Sequence, residues 1–326
     1  MARPLRLIAL MLAGFGCGGA AHSETWPARP LTMVVPFAAG GPADTVGRIL
    51  APPLSEQLGQ QVVIENVGGS GGMTGSARVA KAAPDGYQLV LGNLGTHAAN
   101  QTFYRAPLYN AATDFAPVML IAQTPLVLLA RKDLPAGKLP EFIAYAKVNQ
   151  SHMQFGSGGT GSASHLACVL LNAAIGVAVT HVPYRGAAPA MADLIAGRID
   201  YQCPDTPIAI PQIESGTVKA IAVLTRERSR GLPEQPTAHE QGLTGFDAAN
   251  WFALFLPAGT PAAIIERLHA AAVTTIDTAA VRLRMAEIGA DLPAAERRSP
   301  DYLRQFVQRE IDKWATPIRA SGLSME

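Results

Sequence analysis

The chain has 326 residues, of which 48% are hydrophobic and 16% are charged, and its formal net charge is +1. This apolar and nearly neutral composition excludes a disordered chain, which combines low hydrophobicity with high net charge. It also argues against a nucleic-acid binder, because that class needs a strongly basic surface to neutralise phosphates. The length allows two domains of roughly 100–200 residues each.

The N-terminus has the layout of a secretory signal peptide. Arg3 and Arg6 precede an uninterrupted apolar run at residues 7–15, and small residues follow. The run is about half of the roughly 20 residues that cross a bilayer, which disfavours a transmembrane anchor. We expect residues 1–23 to form a signal peptide that is cleaved near Ser23, and the product to be periplasmic.

Apolar runs of strand length alternate with helical patterns through most of the chain. The predicted strands are residues 31–36, 62–65, 88–92, 118–122, 126–130, 153–155, 179–183, 201–204 and 219–225. The predicted helices between them are residues 44–58, 75–82, 139–147, 162–174 and 189–196. This alternation favours an α/β fold with mainly parallel sheets that are covered by helices on both faces.

The C-terminal third has a different pattern, with one predicted strand at residues 251–257 and three helical stretches. Pro261 opens one helix, and Ser299 caps another in which Leu303, Phe306 and Trp314 recur at helical spacing. These apolar positions indicate a buried helix face. We expect this helical tail to pack back onto the first lobe.

Two of the predicted strands end in glycine-rich loops that run directly into a helix. Residues 34–44 read VVPFAAGGPAD, and residues 155–165 read FGSGGTGSASH. Glycine lets a ligand approach the backbone, and a helix N-terminus presents unsatisfied N–H groups with a partial positive charge. Helix capping is the alternative for either loop alone. Together, one in each lobe, they predict an anion site that requires neither lysine nor arginine.

Two short motifs suggest other classes of function. The GxGxxG spacing of residues 156–161 matches a dinucleotide fingerprint, but the acidic residue expected about 20 positions later is absent. The GxSxG spacing of residues 68–72 matches a nucleophile elbow, which makes a secreted serine hydrolase using Ser70 the alternative function.

The histidines show neither i, i+4 pairing nor a cysteine partner, so we expect no metal and no other cofactor.

The three cysteines leave two questions open. Cys17 lies in the predicted signal peptide and raises the alternative of a lipoprotein, although the residues before it match a lipobox poorly. Cys168 and Cys203 would enter an oxidising compartment, where a disulfide is permitted. Free buried cysteine is also a common core residue, so the sequence does not decide the pairing.

Eight motifs, in order along the chain, resemble the Bug family, the substrate-binding receptors of tripartite tricarboxylate transporters. They are WPARP at 26–30, VPFAAGG at 35–41, ENVGGSGG at 65–72, APDGY at 83–87, DFAPV at 114–118, FGSGGTGS at 155–162, HVPYRG at 181–186 and ANWFALF at 249–255. The similarity covers essentially the whole mature chain.

This resemblance implies a type II periplasmic binding protein fold, in which two α/β lobes close on a small ligand. We expect lobe 1 to comprise residues 24–125 and 250–326, and lobe 2 to comprise residues 126–249. In this family the two glycine loops hold one ligand carboxylate through main-chain donors and ordered waters. The corresponding residues are Phe37, Ala38, Ala39, Gly40, Gly41 and Asp44 in lobe 1, and Ser157, Gly158, Gly159, Thr160, Gly161, Ser162 and His165 in lobe 2. The residues nominated for the distal end of the ligand are Thr96, Tyr184, Asp205 and Thr206.

The predicted function is therefore that of a non-catalytic periplasmic receptor. It would act as a monomer, capture a small mono- or dicarboxylate, and deliver it to the membrane permease subunits of a tripartite transporter. A receptor that signals to a sensor protein is an alternative that the sequence leaves open. No nucleic acid partner is expected.

Overall fold

The computed structural model describes residues 26–320, so the predicted signal peptide and Cys17 lie outside the described residues. The strands are β1 (Leu31–Val35), β2 (Val62–Asn66), β3 (Gln88–Asn93), β4 (Phe115–Pro125), β5 (Val127–Arg131), β6 (Gln154–Ser157), β7 (Thr180–Pro183), β8 (Tyr201–Gln202), β9 (Val218–Val223) and β10 (Ala249–Pro257). The helices are α1 (Pro42–Leu58), α2 (Met73–Ala80), α3 (Asn100–Phe103), α4 (Leu139–Asn149), α5 (Ala163–Ile175), α6 (Ala187–Ile195), α7 (Thr206–Glu214), α8 (Ala262–Asp277), α9 (Ala279–Glu287) and α10 (Pro300–Ala320). A π-helical turn at Gly95–Ala99 precedes α3, and short 3-10 turns occupy Ser70–Gly72 and Ala295–Arg297.

The strands form two five-stranded sheets, one in each lobe. Their orders are β2-β1-β3-β10-β4 in lobe 1 and β7-β6-β8-β5-β9 in lobe 2. Strands β2, β1 and β3 pair in parallel, as do β7, β6 and β8, and the predicted α/β class is confirmed. Strands β10 and β5 run antiparallel to both of their neighbours. Each sheet is therefore mixed, whereas the sequence pattern predicted mainly parallel sheets.

Helices cover both faces of each sheet. In lobe 1, α1, α8 and α9 bury one face, and α2 and α10 bury the other. In lobe 2, α4 and α5 bury one face, and α6 and α7 bury the other. Helix α10 packs against β4, so the helical tail does return to lobe 1. Within residues 26–320, no helix combines the length and the apolar character that a membrane span requires.

The chain passes between the lobes twice. Strand β4 of lobe 1 ends at Pro125 and β5 of lobe 2 begins at Val127, while β10 carries the chain back from Ala249. The two crossings lie side by side, because Ala249 pairs with Pro125 and Asn250 pairs with Thr124 in the antiparallel β4–β10 ladder. Lobe boundaries at residues 125/126 and 249/250 stay a prediction.

Two helical segments were not expected from the sequence pattern, the stretch at 95–103 and helix α7. Helix α7 has Pro207 in its first turn and Pro211 in its interior, and its apolar residues form a short run without helical spacing. Burial against β5 and β9 stabilises the helix in spite of these prolines. This helix matters for the site because its N-terminus faces the other lobe.

Cys168 and Cys203 form a disulfide with a Cα–Cα distance of 5.6 Å, which answers the question that the sequence left open. Cys168 lies in α5, and Cys203 lies between β8 and the start of α7. The bond therefore connects the helix that follows the second glycine loop to the segment that carries Asp205.

Candidate functional site

A small cavity of about 30 Å³, lined by buried residues, lies between the lobes, with room for about two water molecules. Its lining residues are Phe37, Pro42, Ala43, Asn93, Asn250 and Phe252 from lobe 1, and Gly158, Ser162, Ala163, Ser164, Ala187 and Asp205 from lobe 2. No lysine or arginine of the described chain lines it. Any negative charge that a ligand carries must therefore be balanced by backbone and neutral groups.

Four helices begin at this cavity. Gly41 caps α1, whose Ala43 lines the cavity, Ala163 opens α5, Ala187 opens α6, and Asp205 directly precedes α7. The first N–H groups of a helix have no partner within it and carry a partial positive charge. The cavity therefore attracts anions. The glycine loops predicted two of these helix starts, and the structure adds α6 and α7.

Asp44 holds the first glycine loop in shape. Its Oδ2 accepts hydrogen bonds from the Gly40 N–H at 2.9 Å and Arg48 Nε at 2.8 Å, and its Oδ1 accepts from Asn66 Nδ2 at 3.0 Å. Asn66 also donates to the Phe37 carbonyl at 3.1 Å. Burial opposes ionisation of Asp44, but these hydrogen bonds outweigh it and lower the pKa of the carboxyl. Asp44 thus supports the loop and does not itself line the cavity.

The other residues of the first loop face different surroundings. Phe37 lines the cavity. The Ala38 N–H donates to the Arg185 carbonyl of lobe 2 at 3.2 Å, so this amide joins the lobes. Ala39 and Gly40 are exposed, and Gly40 has the positive φ of +77° that favours glycine.

In the second glycine loop, backbone N–H groups are hydrogen-bonded to side chains of the same segment. Three N–H groups donate to side chains of the same segment: Gly158 to Ser164 Oγ at 3.0 Å, Gly159 to Ser157 Oγ at 3.1 Å, and Gly161 to His165 Nδ1 at 3.2 Å. Gly159 and Gly161 have φ values of +113° and +83°, which side chains rarely adopt. Ser162 caps α5 by accepting from the His165 N–H. In this conformation the donors open to an anion are therefore those of the helix first turns.

Two neutral histidines stand behind this loop. The rings of His165 and His181 lie 4.1 Å apart, and His181 stacks on Phe155. Burial lowers the pKa of His165 to about 3, with a smaller effect from His181, and burial lowers that of His181 to about 4. An unprotonated Nδ1 is what His165 needs to accept from Gly161. His165 therefore holds the loop as a neutral acceptor.

Asp205 lines the cavity and bonds to both crossing strands. Its Oδ1 accepts from Thr124 Oγ1 and from Asn250 Nδ2, each at 2.7 Å. Burial raises the pKa of Asp205 to about 6, although the hydrogen bonds from Thr124, from Asn250 and from its own backbone act in the opposite direction. The carboxyl is therefore mostly ionised at pH 7 and presents a charged acceptor to the cavity.

The other three residues nominated for the distal end of the ligand bond to protein groups. Each donates its hydroxyl elsewhere: Thr96 to Asn93 Oδ1 at 3.2 Å, Tyr184 to Asp193 Oδ2 at 2.7 Å, and Thr206 to the Gly289 carbonyl at 3.0 Å. None of these three lines the cavity in this conformation. A direct contact of theirs with a ligand stays a prediction.

Asn93 and Asn250 line the cavity and were not predicted from the sequence. Asn93 ends β3, and antiparallel pairing sets Asn93 opposite Phe252, so Asn250 enters at the same edge of the sheet. Ligands of open α/β sheets bind beyond the carboxyl ends of parallel strands. An amide at the carboxyl end of the apolar run Leu89–Leu91 was the signal that could have identified Asn93.

Ser70 lies in a different setting from a catalytic nucleophile. It is exposed, has φ +47°, and no histidine of the described chain hydrogen-bonds its hydroxyl. The neighbouring glycine packs on lobe 2, since a Cβ at Gly71 would lie 2.1 Å from the Thr160 carbonyl oxygen. The glycine-rich run at 68–72 is therefore a close contact between the lobes.

Known proteins are similar to this chain in sequence and in fold. The family model described as tripartite tricarboxylate transporter family receptor matches residues 46–323. The periplasmic binding protein BugD has a TM-score of 0.89 and 36% identity over 92% of this chain and 100% of its own. MatC (Rpa3494) from Rhodopseudomonas palustris, solved with bound malate, has a TM-score of 0.88 and 41% identity over 90% of this chain and 100% of its own. Rpa4515 from R. palustris, solved with adipate, has a TM-score of 0.88 and 35% identity over 92% and 99%.

Proposed function

The chain belongs to the tripartite tricarboxylate transporter receptor family, and we propose that it captures a small organic carboxylate and delivers it to the membrane permease subunits of such a transporter. It is a solute-binding receptor and not an enzyme, as the sequence predicted, and the serine hydrolase alternative has no support. The malate bound by MatC and the adipate bound by Rpa4515 support the ligand class.

The observation that carries this proposal is the convergence of four helix N-termini on one buried cavity. A helix terminus stabilises a nearby anion by about 0.3–2 kcal/mol, and the larger values apply where water is partly excluded. Four such ends favour a buried carboxylate without a cationic side chain. The helix termini would not stabilise a neutral or cationic solute in this way.

We propose that the proximal carboxylate lies between the two glycine loops. The residues of this subsite are Phe37, Ala38, Ala39, Gly40, Gly41, Asp44, Ser157, Gly158, Gly159, Thr160, Gly161, Ser162 and His165, of which several act by shaping the loops. Asp205 belongs to lobe 2, across the cavity from the first glycine loop, and would face the remainder of the ligand. Thr96, Tyr184 and Thr206 would lie farther from the ligand.

We propose that ligand exchange requires the lobes to separate. Small-molecule pockets usually measure about 300–1,000 Å³, and the cavity of about 30 Å³ is too small for a dicarboxylate. A hinge at the two crossings, residues 125/126 and 249/250, would open the cleft and close it again on the ligand.

We also propose that the chain is exported, cleaved near Ser23, and active as a periplasmic monomer. N-terminal sequencing of the periplasmic form tests the cleavage site, and light scattering on the purified form tests the oligomeric state. An acylated N-terminus at Cys17 would contradict the soluble form, and a stable dimer would contradict the monomer.

A thermal-shift screen of the mature chain against mono-, di- and tricarboxylates tests the proposed function. A ligand at 100 times its dissociation constant stabilises the folded state by about 2.7 kcal/mol. We expect at least one acid to raise the melting temperature, its neutral methyl ester or amide to have no effect, and Ser70→Ala to bind as wild type does. If no acid binds while a carboxylic ester is hydrolysed, the receptor proposal is wrong.

A further inference from the structure

The hydrogen-bonding groups of the cavity wall indicate a particular kind of ligand. Asp205 is only 4% exposed, and both of its side-chain donors, Thr124 and Asn250, bond to the same oxygen, Oδ1. Oδ2 therefore receives no side-chain donor, while Asp205 lines the cavity. A carboxylate oxygen that faces a cavity without a donor from another residue favours a ligand that supplies one.

Asn93 supplies the complementary group on the opposite lobe. It is also 4% exposed and lines the same cavity. Its Oδ1 accepts hydrogen bonds from the N–H and the hydroxyl of Thr96, which fixes the orientation of the amide. Nδ2 is the part of this side chain that has no acceptor among the described residues, so it is a donor that is available to a ligand.

We propose that this receptor selects hydroxycarboxylates, with Asp205 Oδ2 accepting a hydrogen bond from the ligand hydroxyl and Asn93 Nδ2 donating one to it. The inference rests on the proposed function, since it names the substrate class for the same site. Asp205 and Asn93 are then the residues that determine specificity.

A hydroxyl fits this pair of groups better than the alternatives. It can donate one hydrogen bond and accept another, whereas an ammonium only donates and an ionised carboxylate only accepts. A second ligand carboxylate facing Asp205 would also place two like charges together where water is excluded. A methylene group would leave both protein groups unpaired, and a polar site rejects such an analogue strongly.

The cost of the buried carboxyl supports this assignment. Its neighbours on the crossing strands, Thr124 and Asn250, are uncharged, and no arginine or lysine of the described chain lines the cavity. An ionised group in such surroundings is destabilising, as the raised pKa indicates. An asparagine would make the same two hydrogen bonds without that cost, so the free acceptor oxygen is what the aspartate adds.

The experiment compares acids that differ only in one hydroxyl, by isothermal titration of the mature chain. The pairs are lactate with propionate, malate with succinate, and citrate with tricarballylate. We expect the hydroxylated member of at least one pair to bind at least about tenfold more tightly. Equal affinities within every pair that binds would overturn the inference but leave the receptor function standing. Absence of binding by every acid would instead overturn the proposed function.

Two variants test the assignment to Asp205. In Asp205→Asn, Oδ1 is kept for Thr124 and Asn250, and we expect the affinity ratio within the pair to fall below about threefold. Thr124→Val is the matched control, because it removes a donor to Oδ1 and leaves Oδ2 in place, and it should keep most of the ratio. A wild-type ratio in Asp205→Asn, or an equal loss in both variants, would contradict the role of Oδ2.

Discussion

Two buried aspartates beside helix starts have opposite properties in this protein. Asp44 is buried, yet three donors that include Arg48 lower its pKa and keep both oxygens engaged. Asp205 receives two uncharged donors on one oxygen, and burial raises its pKa to about 6. Asp44 therefore stabilises a loop, whereas Asp205 lines the cavity with one oxygen that receives no side-chain donor. The difference lies in the charge of the donors and in the number of oxygens that they reach.

Asp205→Asn is expected to stabilise the protein at pH 7.5 by up to about 3 kcal/mol. The pKa of Asp205 is raised from 3.8 to about 6, so the folded state binds the proton more tightly than the unfolded state does. In wild type this contribution is complete below pH 3.8 and is lost as the pH rises to about 6. The measurement is urea unfolding of both proteins from pH 4 to pH 8.

The difference between the two proteins isolates Asp205, because every other titrating group is common to both. We expect the advantage of the variant to be small at pH 4, to grow through pH 5 and 6, and to level off above pH 7. A difference that does not change with pH would show that the buried carboxyl has an ordinary pKa.

At this scale the sequence identified the glycine-loop residues of the cavity lining and one acidic residue, but missed the two amides. Asp205 was nominated because it ends a strand, and it lines the cavity. Asn93 and Asn250 were missed because each is an isolated amide beside an apolar run, where a satisfied core residue is the common explanation. Their function depends on which sheet edge the crossing strand meets, and that is a tertiary property.

Among the elements, α5 links the two halves of the lobe 2 site. Its N-terminus receives the second glycine loop, with Ser162 as the cap, and its interior carries Cys168. The disulfide joins it to Cys203, two residues before Asp205. The relative position of the loop and of Asp205 is therefore restrained covalently, in addition to the packing of α5 on the sheet.

The double variant Cys168→Ala, Cys203→Ala is expected to lose about 3–4 kcal/mol of stability, from the chain entropy of a loop that spans 35 residues. It should also bind its ligand several-fold more weakly, because α5 and Asp205 gain freedom. Urea unfolding and titration calorimetry measure the two effects. A reductant should lower the stability and the ligand affinity of the wild type in the same way, and should change neither property of the variant. If the reductant also weakens the variant, the losses in the wild type do not come from the disulfide.

Most of the elements follow from local sequence. Strands such as β1 are short apolar runs with β-branched residues. Helix α1 begins at Pro42, and Gly59 caps its C-terminus in the left-handed conformation. The antiparallel direction of β5 and β10 could not be read in this way, because it follows from the chain crossing between lobes. Helix α7 was missed because its prolines conceal a helix that tertiary burial stabilises.

For the whole molecule, contacts between the lobes hold the walls of the cavity together. Tyr104 of lobe 1 donates its hydroxyl to the Thr160 carbonyl of the second glycine loop at 3.0 Å. Phe103 meets the His165 ring edge to face at 5.4 Å. Both contacts fall on the loop that shapes the anion subsite, so closure and loop geometry depend on each other. Removal of water in turn strengthens the interaction between helix termini and the bound anion.

Gly71→Ala is expected to weaken ligand binding by at least about tenfold, because a side chain there obstructs closure rather than folding. A Cβ would lie 2.1 Å from the Thr160 carbonyl of the other lobe, a clash that disappears when the lobes separate. The residue has φ +59°, so alanine also costs about 1–2 kcal/mol in the backbone. Gly59→Ala is the matched control, because Gly59 has φ +72° and a Cβ there meets nothing within 4 Å. Both variants should lose similar stability in urea unfolding, whereas only Gly71→Ala should lose affinity and fail to become more compact with ligand in X-ray scattering. If the two variants bind alike, the 68–72 contact does not govern closure.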